Sequence, residues 1–431
     1  MIKKLRGTYD ILPEEVARWQ YLEKKFKEIV ERYGYREIRT PVIEETGLFT
    51  RSIGETTDIV EKEMYTFQDR KGRNVTLRPE GTASIVRAYL ESGIKPEILT
   101  KFYYYGDMFR YDRPQKGRYR EFRQFGIEAI GSASPALDAE VISLAMYMLE
   151  SAGLIELELN INSVGCSECR RIYYDKLREY IRPFASVSTG NSGTFSTARL
   201  CATCQKRMDK NPLRIFDCKE EVCRKVLEKA PVITENLCQK CASAFEEVKK
   251  YLSVLNIPFV INPRLVRGLD YYTRTAFEVV CKKIDSPQQN ALVAGGRYDS
   301  LIKDLGGPDT PAVGWAMGME RILLALEILK IDLPVEEKSG LYIASLGEVA
   351  FTEAFRIADR LRRNGFKVHL SGSGKSLKSQ MREADRIGAG YTLILGGDEL
   401  SRGVGILRDM NSSTQREIPL ANLENELKTL L

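Results

Sequence analysis

The chain of 431 residues carries 65 basic and 59 acidic side chains and is 43% hydrophobic and 29% charged, the make-up of an ordinary globular protein. At about 150 residues per domain it should hold about three domains. Its single histidine, His369, excludes any two-histidine metal site, any histidine-pair proton relay and, unless His369 is itself the base, a Ser-His-Asp triad.

The N-terminus, Met1 to Gly7, has basic residues but no apolar run behind them, which does not read as a signal peptide. No run of ~18 apolar residues occurs, so no membrane span is expected. Nine cysteines in such a chain argue for reduced thiols or metal over a disulfide framework, and the expected compartment is the cytoplasm. A net charge of +6 permits a local basic surface without announcing one.

Pro13, Glu14 and Glu15 open a helix, with a proline and acids in its first turn. Val16, Trp19, Leu22, Phe26, Ile29, Val30 and Tyr33 recur at three- and four-residue steps until Gly34 stops the pattern. An extended run follows over 35–41, and Thr82 reads as the cap of a later helix. Residues 102–130 read as strand, basic loop, strand, and 155–161 as a further strand. Residues 166–255 gather charged helical segments, a Ser/Gly/Thr loop over 186–197 and eight of the nine cysteines, the signs of an inserted, mostly helical module. Strand patterns resume over 259–281 and around Leu292, a helix is expected over 315–328, and a linker within 326–339. From 340 to 431, strands (341–344, 367–370, 391–395) alternate with helices (350–363, 376–387), which suggests an α/β domain with a parallel sheet. The part before 325 reads as α+β with antiparallel strands.

The stretch from Phe109 to Glu128 is the most informative. Six cations lie from Arg110 to Arg123, with aromatic residues between them. On the returning strand, two-residue periodicity puts Phe122, Gln124, Gly126 and Glu128 on one face and Phe125, Ile127 and Ala129 on the other. An amide and a carboxylate on a sheet's inner face need partners or a wet cavity. The segment is either a solvated hairpin with a charged tip or an anion-binding loop that feeds a polar pocket. Arg267-Gly268-Leu269-Asp270-Tyr271-Tyr272 can hold a planar polar ligand and a phosphate. Ala294-Gly295-Gly296-Arg297-Tyr298 could be a plain glycine turn, and the glycines of Gly314 to Arg321 allow close backbone approach to a ligand.

Taken in order, and with Arg6-Gly7-Thr8-Tyr9-Asp10-Ile11-Leu12-Pro13 at the start, these segments resemble the histidyl-tRNA synthetases, which are class II aminoacyl-tRNA synthetases. The resemblance covers essentially the whole chain. It implies an antiparallel-sheet catalytic core over 1–325 with a helical insertion, and a C-terminal α/β anticodon-binding domain. The segment ending at Pro41 looks like the class's first motif, the interface of a homodimer. Residues 109–128 and 314–321 look like the second and third motifs. The implied reaction is ATP-dependent attachment of histidine to tRNA(His) through histidyl-adenylate, with Mg²⁺ accompanying ATP.

By the same resemblance, Arg110 and Arg267 flank the α-phosphate, Arg118 and Arg321 grip the distal phosphates, and Phe122 stacks on adenine. Glu80, Thr82 and Gln124 take the α-ammonium group of histidine. Glu128 and Tyr272 bond the two imidazole nitrogens, with Tyr271 nearby and Tyr298 closing that side. The loop with Arg113, Lys116 and Arg120 would meet the tRNA acceptor end. Relatives without catalysis, such as a regulatory subunit of histidine biosynthesis, tend to lose the histidine-specific segments or the C-terminal domain, and both are present here.

Two features stand apart. Gly372-Ser373-Gly374-Lys375-Ser376 hints at a phosphate-binding P-loop, but the required first glycine falls at His369, so the spacing fails. Cys166/Cys169, Cys201/Cys204 and Cys238/Cys241 are C-x-x-C pairs and Cys218/Cys223 a wider one; two pairs could make one tetrahedral zinc site and four could make two. Structural zinc is not a general feature of the family.

Overall fold

Trp19, Leu22, Phe26, Ile29 and Val30 are the buried face of the helix Pro13–Arg32, which ends where Gly34 takes a φ of +81°. Full burial of such side chains contributes about 1.5–3 kcal/mol each. The computed structural model describes residues 2–54, 57–185, 200–284, 290–335 and 340–430. The expected loop over 186–197 and the end of the expected linker therefore lie outside the described residues.

The described chain divides into two units, Met1–Leu333 and Pro334–Leu431. Strands of the first unit, in chain order, are β1 (Arg36–Glu37), β2 (Ile43–Glu45), β3 (Tyr65–Gln68), β4 (Asn74–Leu77), β5 (Thr100–Phe109), β6 (Glu121–Ile130), β7 (Leu157–Ser163), β8 (Phe259–Ile261), β9 (Thr273–Cys281), β10 (Ala291–Arg297) and β11 (Ala312–Gly318). Eight of them make one sheet, ordered β1-β5-β6-β11-β10-β9-β7-β8, and β2-β4-β3 make a small second sheet. Pairing in the large sheet is antiparallel except at its two edges, β1 with β5 and β7 with β8. Of the extended run over 35–41, only Arg36 and Glu37 pair as strand.

The sheet's two faces differ in kind. Phe125, Ile127 and Ala129 of β6, Val313, Trp315 and Met317 of β11, and Phe277 and Val279 of β9 enter the main core with the first helix and the helix Pro135–Ser151. The alternate residues, among them Gln124, Glu128, Gly314 and Glu278, face the other way. This alternation corrects the helix expected over 315–328: Trp315 to Gly318 is strand, and the helix is Met319–Ile328. Trp315 donates its indole N–H to the Val141 carbonyl at 2.9 Å from the core face, while the glycines beside it clear the other face.

Within 166–255, Tyr173, Leu177, Ile181, Leu213, Ile215, Val226 and Ile233 share a core of their own, while Phe245, Val248 and Leu252 of the helix Gln239–Val254 join the main core. In the segment expected as linker, Leu326 is buried, and Ile331 and Leu333 pack on the main core.

The second unit has β12 (Leu341–Ser345), β13 (Val368–Leu370), β14 (Tyr391–Leu395), β15 (Val404–Asp409) and β16 (Gln415–Pro419), in the order β13-β12-β14-β15-β16. The first three strands run parallel as expected, but β15 and β16 add an antiparallel edge. The P-loop lookalike serves a helix cap: the Ser376 hydroxyl accepts from the Ser379 N–H, and the Lys375 ammonium pairs with Glu383 at 2.7 Å.

At the end of β10, Arg297 is 1% exposed and spends every donor. Its guanidinium meets Asp138 at 2.8–3.2 Å, the Ser132 and Ser134 carbonyls at 2.9 and 3.3 Å, and Asp299 at 3.1 Å. Removing one partner of such a buried pair strands the other charge at a cost of about 3–5 kcal/mol. Asp138→Ala should therefore lose that much in denaturant unfolding, whereas a loss under about 1 kcal/mol would show that the pair does not hold β10 to the helix.

Candidate active site

Beyond the apolar core, the polar face of β6, β9, β10 and β11 floors a cleft of about 1140 Å³ open to solvent. Ten of the residues singled out from the sequence line it: Glu80, Thr82, Arg110, Arg118, Phe122, Gln124, Arg267, Tyr271, Tyr272 and Arg321. Glu128 and Tyr298 lie behind its wall, fully buried. Lys116 lies elsewhere, paired with Glu327 at 2.9 Å. Arg113 is exposed, and Arg120 lies 3.9 Å over the Tyr111 ring while its guanidinium reaches the Arg6 and Asp112 carbonyls.

Glu80 sits at the start of the helix Thr82–Glu91, and its carboxylate accepts the N–H groups of Thr82 and Ala83 at 2.7 and 2.9 Å. Thr82 is therefore not the cap; Glu80 does that work, and the Thr82 hydroxyl is free to donate to Glu128 at 2.7 Å. The other Glu128 oxygen accepts from the Tyr298 hydroxyl at 2.5 Å. Burial pushes the Glu128 carboxyl up to about 8, against the two hydrogen bonds that hold it down. Three glycines make room for this group. A Cβ on Gly314 would strike the Glu128 carboxylate, one on Gly126 the Tyr104 ring, and one on Gly296 both the backbone of β9 and the Tyr272 ring.

Four arginines converge at the other end of the cleft. Arg110 donates to the Pro79 carbonyl at 2.8 Å and lies 5.4 Å over the Phe122 ring. Arg118 is paired with Asp112, Arg321 donates to the Ala291 carbonyl at 3.0 Å, and Arg267 pairs with Glu278 at 2.9 Å. Burial, then the charges of Arg118 and Arg110, push the Arg321 guanidinium below its ordinary range; burial does the same to Arg110. Crowded cations in a desolvated cleft form a site for a polyanion. Among the described residues, Gln124 Oε1, Arg267 Nε and Glu320 Oε2 are buried without a hydrogen-bond partner, which suits a ligand that brings its own donors and acceptors.

The N-terminal segment packs on residues that line the cleft. The Tyr9 hydroxyl and the Arg123 N–H both bond Glu320, the Gly7 carbonyl accepts from the Arg120 N–H at 2.7 Å, and the Tyr9 ring lies 4.5 Å from Tyr119. Glu278, Tyr104 and Glu320 were not picked out from the sequence. Glu278 was in principle legible, as the one carboxylate in the apolar alternation of β9.

The model of the histidyl-tRNA synthetase family matches residues 7–322, and that of the anticodon binding domain matches 340–430. The chain is 48% identical to the histidine–tRNA ligase of Halothermothrix orenii over the full length of both, and 49% identical to that of Desulforamulus reducens over 97% of each. Apo histidyl-tRNA synthetase from S. aureus superposes with a TM-score of 0.80 at 39% identity, covering 99% of each chain. The chain belongs to the histidyl-tRNA synthetase family. Its reaction is the ATP-dependent attachment of histidine to tRNA(His) through histidyl-adenylate, and enzymes of this class use ATP with Mg²⁺. No helix among the described residues is long and apolar enough to cross a membrane.

Among the described residues, the groups of three or more metal-ligating side chains that converge are two sets of four cysteines, not carboxylates of the cleft. Cys166, Cys169, Cys238 and Cys241 form one set and Cys201, Cys204, Cys218 and Cys223 the other, with all sulfurs of a set within 4.8 Å.

Because the native carboxyl of Glu128 holds its proton more tightly than the unfolded chain does, this group's contribution to stability is complete below about pH 4.5 and is lost as pH rises through about 8. Glu128→Gln should remove that part of the pH dependence. Urea unfolding of both proteins at pH 5 and pH 8.5 checks this; a parallel fall in the two would refute it.

Proposed function

We propose that the cleft activates histidine in the following way, supported above all by the meeting of four arginines with a buried carboxylate in one polar cleft. The carboxylate of histidine attacks the α-phosphate of ATP, the bond to the bridging oxygen breaks, and pyrophosphate leaves. Phosphoryl and nucleotidyl transfer depend on position and charge more than on a protein nucleophile. Arg110 and Arg267 flank the α-phosphate and carry the charge that builds on it, and Arg118 and Arg321 hold the distal phosphates. Phe122, already under the Arg110 guanidinium, stacks on adenine. Mg²⁺ enters with the triphosphate as part of the substrate; among the described residues, the converging metal-ligating groups are the cysteine sets and not carboxylates of the cleft.

Glu80, Thr82 and Gln124 take the α-ammonium group. The imidazole ring lies between Tyr272 and Glu128, which bond its two nitrogens, and Tyr271 and Tyr298 complete the walls. Such a site rejects rings that lack the nitrogens, because its own polar groups would stay unpaired.

In the second step a ribose hydroxyl of the terminal adenosine takes the histidyl group. Arg113, Lys116 and Arg120 border the acceptor end, and the second unit reads the anticodon. The chain works as a homodimer in the cytoplasm, and the apolar Val42, Ile43 and Phe67 exposed near the first motif support such a contact. The cysteine sets hold structural zinc: a tetrahedral ion with Zn–S bonds of about 2.3 Å sets sulfurs roughly 3.8 Å apart. Observed separations are 3.5 and 3.9 Å in the first set and 3.8 Å in the second.

Histidine-dependent ATP–pyrophosphate exchange tests this reading. Arg267→Ala should cut kcat by about 10²–10³, the loss typical of one transition-state charge contact, with the melting temperature kept. An unchanged kcat would refute the role of Arg267. Glu128→Ala should raise the KM for histidine about tenfold or more and leave that for ATP within about twofold; equal losses would refute the assignment.

A further inference from the structure

The two cysteine sets are not equivalent in what they enclose. The first joins the start of the helix Ser167–Ala185 to the start of the helix Gln239–Val254, so it closes the neck of the inserted module. The second brackets a single short segment: Cys201 and Cys204 stand at its head, Cys218 and Cys223 at its tail. Cys201 is the N-cap of the helix Ala202–Lys210, and Cys218 closes the 3₁₀ turn Pro212–Asp217.

The side chains between those two ends reach the loop that carries Arg267. Asn211 donates to Asp270 at 2.8 Å, and Arg214 donates to the Arg267 carbonyl at 3.1 Å. Arg207 donates to the Arg214 carbonyl at 3.0 Å and pairs with Asp58 at 2.9 Å. Arg214 is 7% exposed in its side chain and pairs with Asp217 at 3.2 Å. From the other side, the Arg267 guanidinium pairs with Glu278. The Arg267 loop is thus clamped between a sheet residue and a segment whose two ends meet at four free cysteine sulfurs, with the Cys201 N–H donating to Cys223 Sγ and a small apolar core beside them.

We infer that a zinc ion on Cys201, Cys204, Cys218 and Cys223 fixes the backbone of Arg267 through Arg214, so that metal at this site sets the rate of histidine activation. Arg214 is then a positioning residue: it touches no substrate and acts through Arg267. This rests on the activation role given to Arg267 above, and the two can fail separately.

Three variants of the full-length chain test it, with zinc content, melting temperature and ATP–pyrophosphate exchange measured on each. The unaltered chain should contain two zinc ions per chain, and Cys218→Ser one. Cys218→Ser should lose about tenfold or more in kcat while the KM values for ATP and histidine stay within about threefold. Arg214→Met should keep both zinc ions and stay folded at the assay temperature, with a melting temperature lowered by the lost pair to Asp217, yet show a similar kcat loss with the KM values for ATP and histidine within about threefold, a split that general destabilisation would not produce. The double variant Cys218→Ser with Arg214→Met should lose no more than the worse single one, because both changes break one linkage.

Absence of zinc from the unaltered chain overturns the inference. A Cys218→Ser protein with one zinc and unchanged kcat overturns it too, as does an Arg214→Met protein with full activity, even where Cys218→Ser fails to fold. If Arg267→Ala is itself harmless, the activation role of Arg267 is what fails. If Arg267→Ala is crippling and Arg214→Met is not, the linkage fails and that role stands.

Discussion

A carboxylate buried on the inner face of a sheet is costly unless its oxygens are bonded, and Glu128 is 1% exposed in the middle of β6. Much of the catalytic unit is arranged to keep it there. Thr82 and Tyr298 bond one oxygen each, and they come from two segments far apart in sequence. Gly314 on the neighbouring strand leaves the space that a side chain would fill. Tyr298 in turn follows Arg297, whose pairing with Asp138 anchors the end of β10 to the main core. This end of the cleft is therefore built from the core outward, and on the proposed reading a polar group that would weaken an ordinary sheet becomes its most specific feature.

At the opposite end the constraint is desolvated charge. Arg110, Arg118, Arg267 and Arg321 share one cleft, and each is tied by a carbonyl or carboxylate that fixes its direction. On the proposed reading, such preorganised charge costs stability in the free protein and is repaid when a polyphosphate enters. The lone histidine fits this division of labour. His369 lies on β13 in the second unit, where burial together with Lys367 and Arg362 pushes it below its ordinary range. On the proposed reading the chemistry runs on arginines, and histidine takes part as the substrate.

Much of this was legible in the sequence because the sheet obeys a period of two. Phe125, Ile127 and Ala129 against Phe122, Gln124 and Glu128 could be sorted before any coordinates, and so could the helix from Pro13. The strand at Trp315 was missed because glycine and alanine alternating with bulky apolar residues also fits a helix start; only the need to clear Glu128 decides between them. Glu80 as the true cap was hidden because its carboxylate reaches forward across Gly81. That Phe245, Val248 and Leu252 join the main core was not legible, since their helical spacing is the same whichever core they pack on. The pairing of the cysteines could not be read at all, as four pairs permit several partitions and only the fold brings the first to the fourth and the second to the third.

The most direct measurement compares histidine with 2-thienylalanine, a five-membered aromatic ring of similar size without nitrogens, in ATP–pyrophosphate exchange. If Glu128 and Tyr272 read the imidazole nitrogens, kcat/KM should favour histidine by about 10⁴ or more. A preference of tenfold or less would mean that the pocket selects by shape alone, and the buried carboxylate at the centre of this sheet would have no part in choosing the substrate.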